Sequence, residues 1–88
     1  EENSSNKIAY SLYPNPAEDI MNIAIESERS EYFEVEVYDI QGKQVLLDRF
    51  QSDRLHSLNI QSLKNGVYLI RLIGKNSIIQ DKFVVSKP

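Results

Sequence analysis

Apolar and polar residues alternate along most of this chain in short runs, and this pattern predicts β-strands. The clearest run covers residues 32–38, where Phe33, Val35 and Val37 alternate with glutamate and tyrosine. Successive side chains of a strand point to opposite faces, so the three apolar side chains share one wall. A helix would instead distribute them around its circumference. We therefore predict a half-buried strand here.

Six further short segments are also predicted to be strands, and turn signals separate them. The seven predicted strands cover residues 8–13, 19–25, 32–38, 44–50, 55–60, 67–73 and 78–85. No segment has the periodicity of a long helix, although residues 61–65 allow a single helical turn. Seven short antiparallel strands predict an all-β fold, an immunoglobulin-like antiparallel β-sandwich in which each sheet has one solvated face.

The predicted core consists of the side chains on the inner faces of these strands. We expect Val45 and Leu47 to share a face with the preceding strand, across a turn in which Gly42 adopts a positive φ. Tyr68 follows a crossover, so its hydroxyl can bond the crossover backbone as a tyrosine corner. His56 is expected at the edge of a sheet. The predicted core residues are Ile23, Ile25, Val35, Val37, Val45, Leu47, Leu58, Ile60, Tyr68, Ile70, Leu72, Phe83 and Val85.

The composition indicates one small folded domain without covalent cross-links. The chain has 88 residues and no cysteine, so the core must hold by packing alone. Residues 1–6 are polar and acidic, and no apolar run approaches the length that spans a bilayer. We expect no transmembrane segment, and we expect an export signal, where there is one, to lie on a longer precursor.

The net charge of −3 conceals an asymmetry between the two halves of the chain. Residues 1–53 carry 12 acidic and 4 basic side chains, whereas residues 54–88 carry 1 acidic and 6 basic. The basic residues are spaced singly, which argues against nucleic acid as a partner. Two interpretations remain: the halves mix in the sandwich and partly neutralise each other, or the basic strands meet an acidic partner.

The residues with catalytic or metal-binding chemistry do not form a recognisable site. His56 and Ser57 are neighbours on a strand, so their side chains point to opposite faces and cannot act as base and nucleophile. Glu34 and Glu36 share a face that the pattern assigns to solvent. The acidic residues within 26–31 lack the Asp/Asn/Gly spacing of a calcium loop. We expect no enzyme activity, no cofactor and no metal.

Several motifs follow one another in order, beginning with a bend at Tyr13-Pro14-Asn15-Pro16. Proline has no backbone N–H to donate, so the two prolines around Asn15 end the first strand in a rigid bend. The later motifs are an apolar strand at 20–25, the Gly42 turn at 39–43, a corner at 63–70 and the run Lys82-Phe83-Val84-Val85. This ordered set, over residues 12–85, resembles the type A C-terminal sorting domain of type IX (Por) secretion in Bacteroidetes.

The resemblance implies an address label at the C-terminal end of an exported protein. In that family a Sec signal brings the precursor to the periplasm, and the C-terminal domain engages the outer-membrane translocon. A sortase-like peptidase then removes the domain at the cell surface, and the cargo is often attached to anionic lipopolysaccharide. Residues 1–7 would be the end of a linker to the upstream cargo, and residues 8–88 the sorting domain.

The resemblance also implies which residues the translocon recognises: Gly66, Tyr68, Lys82, Phe83, Val84, Val85, Ser86 and Lys87. Family members commonly finish on or near a lysine, whereas here Pro88 follows Lys87. The chemistry of the tail suits recognition, because two lysines flank a short apolar strand. A terminal strand at a sheet edge can pair its free backbone groups with a receptor sheet.

Two other functions are compatible with the same pattern. The runner-up is a fibronectin-like or immunoglobulin-like adhesive or spacer module of a surface protein, for which a repeat along the chain would be typical. No internal repeat is visible. The other is a carbohydrate-binding module, which would present several of the five tyrosines on one exposed face. Tyrosine is also a favoured strand residue, so the tyrosines alone do not indicate sugar binding.

Overall fold

The computed structural model describes residues 8–27 and 29–88. The expectation of a linker over residues 1–7 lies outside the described residues, as does Glu28 in the acidic segment. The described chain contains seven strands and no helix: β1 (Ala9–Tyr13), β2 (Ile20–Glu26), β3 (Tyr32–Tyr38), β4 (Gln44–Gln51), β5 (His56–Asn59), β6 (Gly66–Ile73) and β7 (Ile78–Val85). The seven predicted strands are all confirmed, and β3 and β7 have the predicted bounds.

The strands form two antiparallel sheets that face each other. The first sheet has the order β1-β2-β5, and the second has the order β4-β3-β6-β7. The chain changes sheet after β2, after β4 and again after β5, as it does in sandwiches of the immunoglobulin type. The predicted all-β, immunoglobulin-like sandwich is therefore confirmed. Each sheet contains strands from both halves of the chain, so acidic and basic side chains mix as the first interpretation of the charge asymmetry expected.

The core lies between the two sheets and is built from alternate residues of the strands. On β3, Phe33, Val35 and Val37 are fully buried, as the pattern predicted. Twelve predicted core positions are buried or packed against the core, with Val45 only partly buried. Buried apolar residues that the core prediction omitted are Ala17, Met21, Phe33, Phe50, Leu63 and Ile79.

The prediction that Leu47 belongs to the core is wrong, and a β-bulge explains the error. Tyr38 pairs with Gln44, but Val37 pairs with Leu46, so Val45 is an extra residue on β4. One extra residue moves every following side chain to the other face of the sheet. Leu46 therefore packs against the core, while Leu47 points outward with 59% of its surface exposed.

The turn between β3 and β4 has the predicted glycine geometry. Gly42 has φ 85°, a conformation that side chains with a Cβ rarely adopt. The Asp39 carboxylate accepts hydrogen bonds from the backbone N–H groups of Gln41 and Lys43, at 2.9 and 3.0 Å. These bonds satisfy the turn internally and leave the neighbouring Ile40 side chain in solvent.

Candidate functional site: the closing strand and its surroundings

The closing strand β7 lies at one edge of the four-stranded sheet and pairs with β6 along its whole length. The side chains of Phe83 and Val85 point into the core and are fully buried. Those of Lys82 and Val84 point to the outer face, and Ser86 is exposed beyond the strand. The predicted recognition residues are therefore of two kinds: some stabilise the sandwich, and others are accessible to a partner.

The predicted bend packs against the far end of this strand. We call residues 14–17 the strap. The backbone N–H of Ala17 donates to the carbonyl oxygen of Val84 (2.8 Å), and the N–H of Ser86 donates to the carbonyl oxygen of Ala17 (2.9 Å). The N–H of Val84 donates to Oδ1 of Asn15 (2.9 Å). The bend motif therefore has a structural role, because it covers the end of the closing strand.

The strap corrects the expectation of a free backbone edge on the tail. β7 is an edge strand, as expected, but its groups that point away from β6 are occupied at Val84 and Ser86. Further back along the strand, the N–H of Lys82 donates to Oδ1 of Asp81 at 2.7 Å. A receptor strand would thus have to displace several internal hydrogen bonds before it could pair with the end of β7.

Lys87 attaches the tail to the crossover between β5 and β6. Its Nζ donates to the carbonyl oxygens of Gln61 (2.8 Å) and Leu63 (2.7 Å). Its backbone N–H donates to Oδ1 of Asn65 (2.7 Å), and its carbonyl oxygen accepts from Nδ2 of the same residue (3.3 Å). We call this set of contacts the clip. The family resemblance implied a lysine near the end of the tail, but its attachment to the crossover was not predicted.

The corner before β6 is joined to the same structure. The hydroxyl of Tyr68 donates to the carbonyl oxygen of Lys64 (2.7 Å), which confirms the predicted tyrosine corner. The Tyr68 ring stacks on Phe83, with ring centroids 5.6 Å apart. Gly66 pairs with Val85 at the end of the ladder. The corner and the closing strand, which both contain predicted recognition residues, are therefore in direct contact.

The two open sides of the sandwich are closed in similar ways by inward-facing carboxylates. On one side the hydroxyl of Tyr10 in β1 donates to Oδ2 of Asp81 in β7 (2.8 Å). This hydrogen bond, followed by burial, raises the pKa of Tyr10 above its usual value. On the other side Nε2 of His56 in β5 lies 2.8 Å from Oδ2 of Asp48 in β4. His56 thus stands at a sheet edge, as predicted.

The candidate catalytic residues are occupied with structural contacts. Ser57 donates to Oδ1 of Asn22 (2.8 Å), on the opposite face from the His56 ring, which stacks on Phe50. The Glu36 carboxylate accepts from the Tyr38 hydroxyl at 2.8 Å and lies 3.5 Å from Nη1 of Arg71. The hydrogen bond to Glu36 raises the pKa of Tyr38.

Residues 8–27 and 29–88 contain no group of three or more His, Cys, Asp or Glu side chains arranged to hold a metal ion. Within the same residues, no helix is long and apolar enough to cross a membrane.

A shallow groove of ≈ 690 Å³ lies on the outer face of the four-stranded sheet, beside the closing strand. It is lined by Tyr38, Asp39, Ile40, Gly42, Val67, Tyr68, Leu69, Arg71, Gln80 and Lys82. Sequence reasoning did not single out its apolar members Ile40, Val67 and Leu69. One signal in the sequence could have indicated this groove. β6 is apolar on both faces, whereas a strand with one solvated face needs apolar side chains on its inner face only.

A comparison with known families identifies the family of this chain. The model of the secretion system C-terminal sorting domain matches residues 11–86, which include the strap, the corner and almost all of the tail. No curated protein matches the chain. The chain therefore belongs to the family of secretion system C-terminal sorting domains, type IX signals that direct a cargo on the same precursor to the cell surface or the extracellular space.

Proposed function

We propose that this domain carries a larger cargo protein across the outer membrane by engaging the type IX translocon from the periplasm. A sortase-like peptidase then removes the domain at the surface. The proposal rests on one observation above all: the family match covers the closing strand, the strap and the corner that contact it. Cleavage is proposed ahead of β1, because the backbone of a paired strand is a poor substrate for a peptidase.

The proposed recognition residues have separate roles in this mechanism. Tyr68, Phe83 and Val85 are buried and keep the end of the domain folded, with Gly66 paired to Val85. Lys82 and Val84 contact the translocon from the outer face, because their side chains are the accessible ones on the closing strand. The tail residues Ser86 and Lys87 keep this surface in register through the strap and the clip.

A fusion to a reporter tests the proposal directly. Residues 1–88 are fused behind a Sec-exported reporter in a host with a working type IX system. The reporter should reach the cell surface and lose the domain, whereas the reporter alone should stay in the periplasm. In a host without the sortase-like peptidase, the reporter should retain the domain. A folded fusion that stays in the periplasm would contradict the proposal and favour the spacer module.

Truncation tests the role of the tail. Removal of residues 85–88 should leave the reporter in the periplasm. The truncation also deletes buried Val85 and the clip, so the fold must be checked in parallel by circular dichroism. Normal surface delivery of the truncated fusion would refute the role of the tail.

A further inference from the structure

The accessible apolar side chains near the closing strand form, together with Lys82, a single surface, which we call the outer patch. It consists of Tyr38, Ile40, Val67, Leu69, Lys82 and Val84. The register brings them together: Leu69 pairs with Tyr38 on one side and Lys82 on the other, and Val67 pairs with Val84. Ile40 is 82% exposed, Val67 44% and Val84 36%. An outer sheet face is ordinarily polar, so this concentration of exposed apolar surface indicates an interaction site.

The charges around the outer patch indicate what the partner carries. Within the described residues, Lys82 makes no ion pair. Arg71, in the wall of the same groove, is 3.5 Å from Glu36, and its buried Nε has no hydrogen-bond partner among those residues. The carboxylate of Asp39 is occupied by the turn. Among the described residues of the groove, Lys82 is therefore the cation available to a partner, since Glu36 engages Arg71 and its Nε is buried. A lysine beside an apolar floor is complementary to a carboxylate next to an apolar side chain.

The strap and the clip determine how a partner can recognise this surface. They hold the backbone of Val84, Ser86 and Lys87 inside the domain, so the tail is not offered as a free peptide. Its outward side chains are instead offered together with Ile40 from the β3–β4 turn and Val67 from β6. A partner that contacts these side chains therefore recognises the folded domain, because distant parts of the chain contribute to the same surface.

We propose that the outer patch docks onto a protein partner that presents an apolar side chain flanked by a carboxylate. The inference rests on the proposed function, since that partner belongs to the export machinery. It extends the recognition site beyond the tail to Ile40, Val67 and Leu69, and it replaces backbone pairing by side-chain contact as the mode of recognition.

The test compares two substitutions on the same outer face. Ile40→Asp places a carboxylate in the outer patch, whereas Leu47→Asp places one among Glu34, Asp48 and Arg49, away from it. Both side chains are largely exposed, so neither change should unfold the domain. In the reporter fusion of residues 1–88, Ile40→Asp should lower surface delivery about tenfold, the effect of losing one good contact. Leu47→Asp should deliver as the unsubstituted fusion does.

The charge is tested separately at Lys82. Lys82→Glu should reduce delivery like Ile40→Asp, while Lys82→Arg should retain it, because the arginine keeps the cation. Circular dichroism and thermal unfolding of residues 1–88 carrying each change establish that the domain is folded. The readout is the amount of reporter on the surface relative to folded fusion.

The outcomes separate this inference from the proposed function. The outer patch is the wrong site if the Ile40→Asp fusion is delivered as well as the unsubstituted fusion, or if Leu47→Asp lowers delivery equally. The proposed export function would stand in either case. Failure of the unsubstituted fusion overturns both. Two other occupants of the patch would also overturn it. One is a dimer of residues 1–88 that Ile40→Asp dissociates in sedimentation. The other is binding to phosphatidylglycerol vesicles that is lost in both Ile40→Asp and Lys82→Glu.

Discussion

The two outer strands of the four-stranded sheet, β4 and β7, are both protected from pairing with another chain, but by different means. Each places a carboxylate on the inner face, Asp48 on β4 and Asp81 on β7, hydrogen-bonded to the opposite sheet. Inward charges and bulges are common protections of sheet edges. On β4 the other protection is a bulge, formed locally. On β7 it is the strap, which comes from the other end of the chain.

The difference shows that the end of β7 is held in place more elaborately than an edge strand needs. On β4 the inward Asp48 carboxylate and a bulge are the protections, whereas the closing strand has the strap on its edge, the clip beyond its end and the Tyr68 ring against Phe83. Such fixation suits a surface that has to keep one shape while it is recognised. Substitutions at the two edges test this difference.

Loss of the aromatic ring should destabilise the β7 edge more than the β4 edge. Phe83 is completely buried, and Phe50 retains some exposure, although each ring stacks on a neighbour. Phe83→Ala should cost about 4–5 kcal/mol of unfolding free energy, and Phe50→Ala about 3 kcal/mol, because the structure around a cavity at the rim can relax more easily. Urea unfolding measures both. Equal costs would mean that the two edges are packed alike.

Removal of the strap contact should loosen the end of β7. Asn15→Ala leaves the N–H of Val84 without its acceptor and should cost about 1–2 kcal/mol of unfolding free energy. The exposed Asn76 provides the control, since Asn76→Ala should change stability by less than about 0.5 kcal/mol. Denaturant unfolding reports both values. An effect of Asn15→Ala no larger than that of the control would show that the strap does not hold the strand.

The clip should contribute somewhat less to the unfolding free energy than the strap contact does, because Lys87 lies at the surface. Lys87→Met keeps the aliphatic part of the side chain but removes the hydrogen bonds to Gln61 and Leu63, and should cost about 1 kcal/mol of unfolding free energy. Lys75→Met, at an exposed turn, should be neutral. If the two substitutions have the same effect, the contacts of the Lys87 ammonium contribute nothing to stability.

The smallest effect is expected at the Tyr10–Asp81 contact, and it should depend on pH. The pKa of Tyr10 is raised in the folded state, so its contribution is fully present below the usual tyrosine pKa and is lost as pH rises through the folded pKa. Tyr10→Phe should cost about 0.5–1 kcal/mol at neutral pH, and this difference should shrink above about pH 10. Thermal unfolding of the unsubstituted domain and of Tyr10→Phe at several pH values measures this difference in stability. A difference that does not change with pH would contradict a stabilising hydrogen bond from Tyr10 to Asp81.

The sequence was sufficient for the strands whose alternation is uninterrupted. In β3 apolar and polar residues alternate regularly between turn signals, and the strand was predicted with correct bounds. The bounds of β7 were also predicted correctly, but from the turn signal at residues 74–77 that precedes it and not from alternation. Leu47 was misplaced because a bulge has no reliable signature in a single sequence, and one extra residue reverses every later side chain. Phe33 and Phe50 are paired neighbours on β3 and β4 and stack on each other, but the predicted core omitted both.

The candidate site was predictable only in part. The motifs at the bend, at the corner and on the closing strand could be seen, and the tyrosine corner follows from a known local geometry. The contacts of Asn15 with Val84 and of Lys87 with the crossover join segments far apart in the chain, so no local pattern encodes them. The same is true of the outer patch, which exists only after the turn, β6 and β7 are brought side by side.

Amide hydrogen exchange at the end of the chain tests most directly whether the tail is held inside the folded domain. Val84, Ser86 and Lys87 donate their N–H groups to Asn15, Ala17 and Asn65. In residues 1–88 these three amides should exchange at least about a hundredfold more slowly than in an unstructured peptide. Exchange at the rate of an unstructured peptide would show that the tail is free, and that a receptor meets it as a linear signal rather than as part of a folded surface.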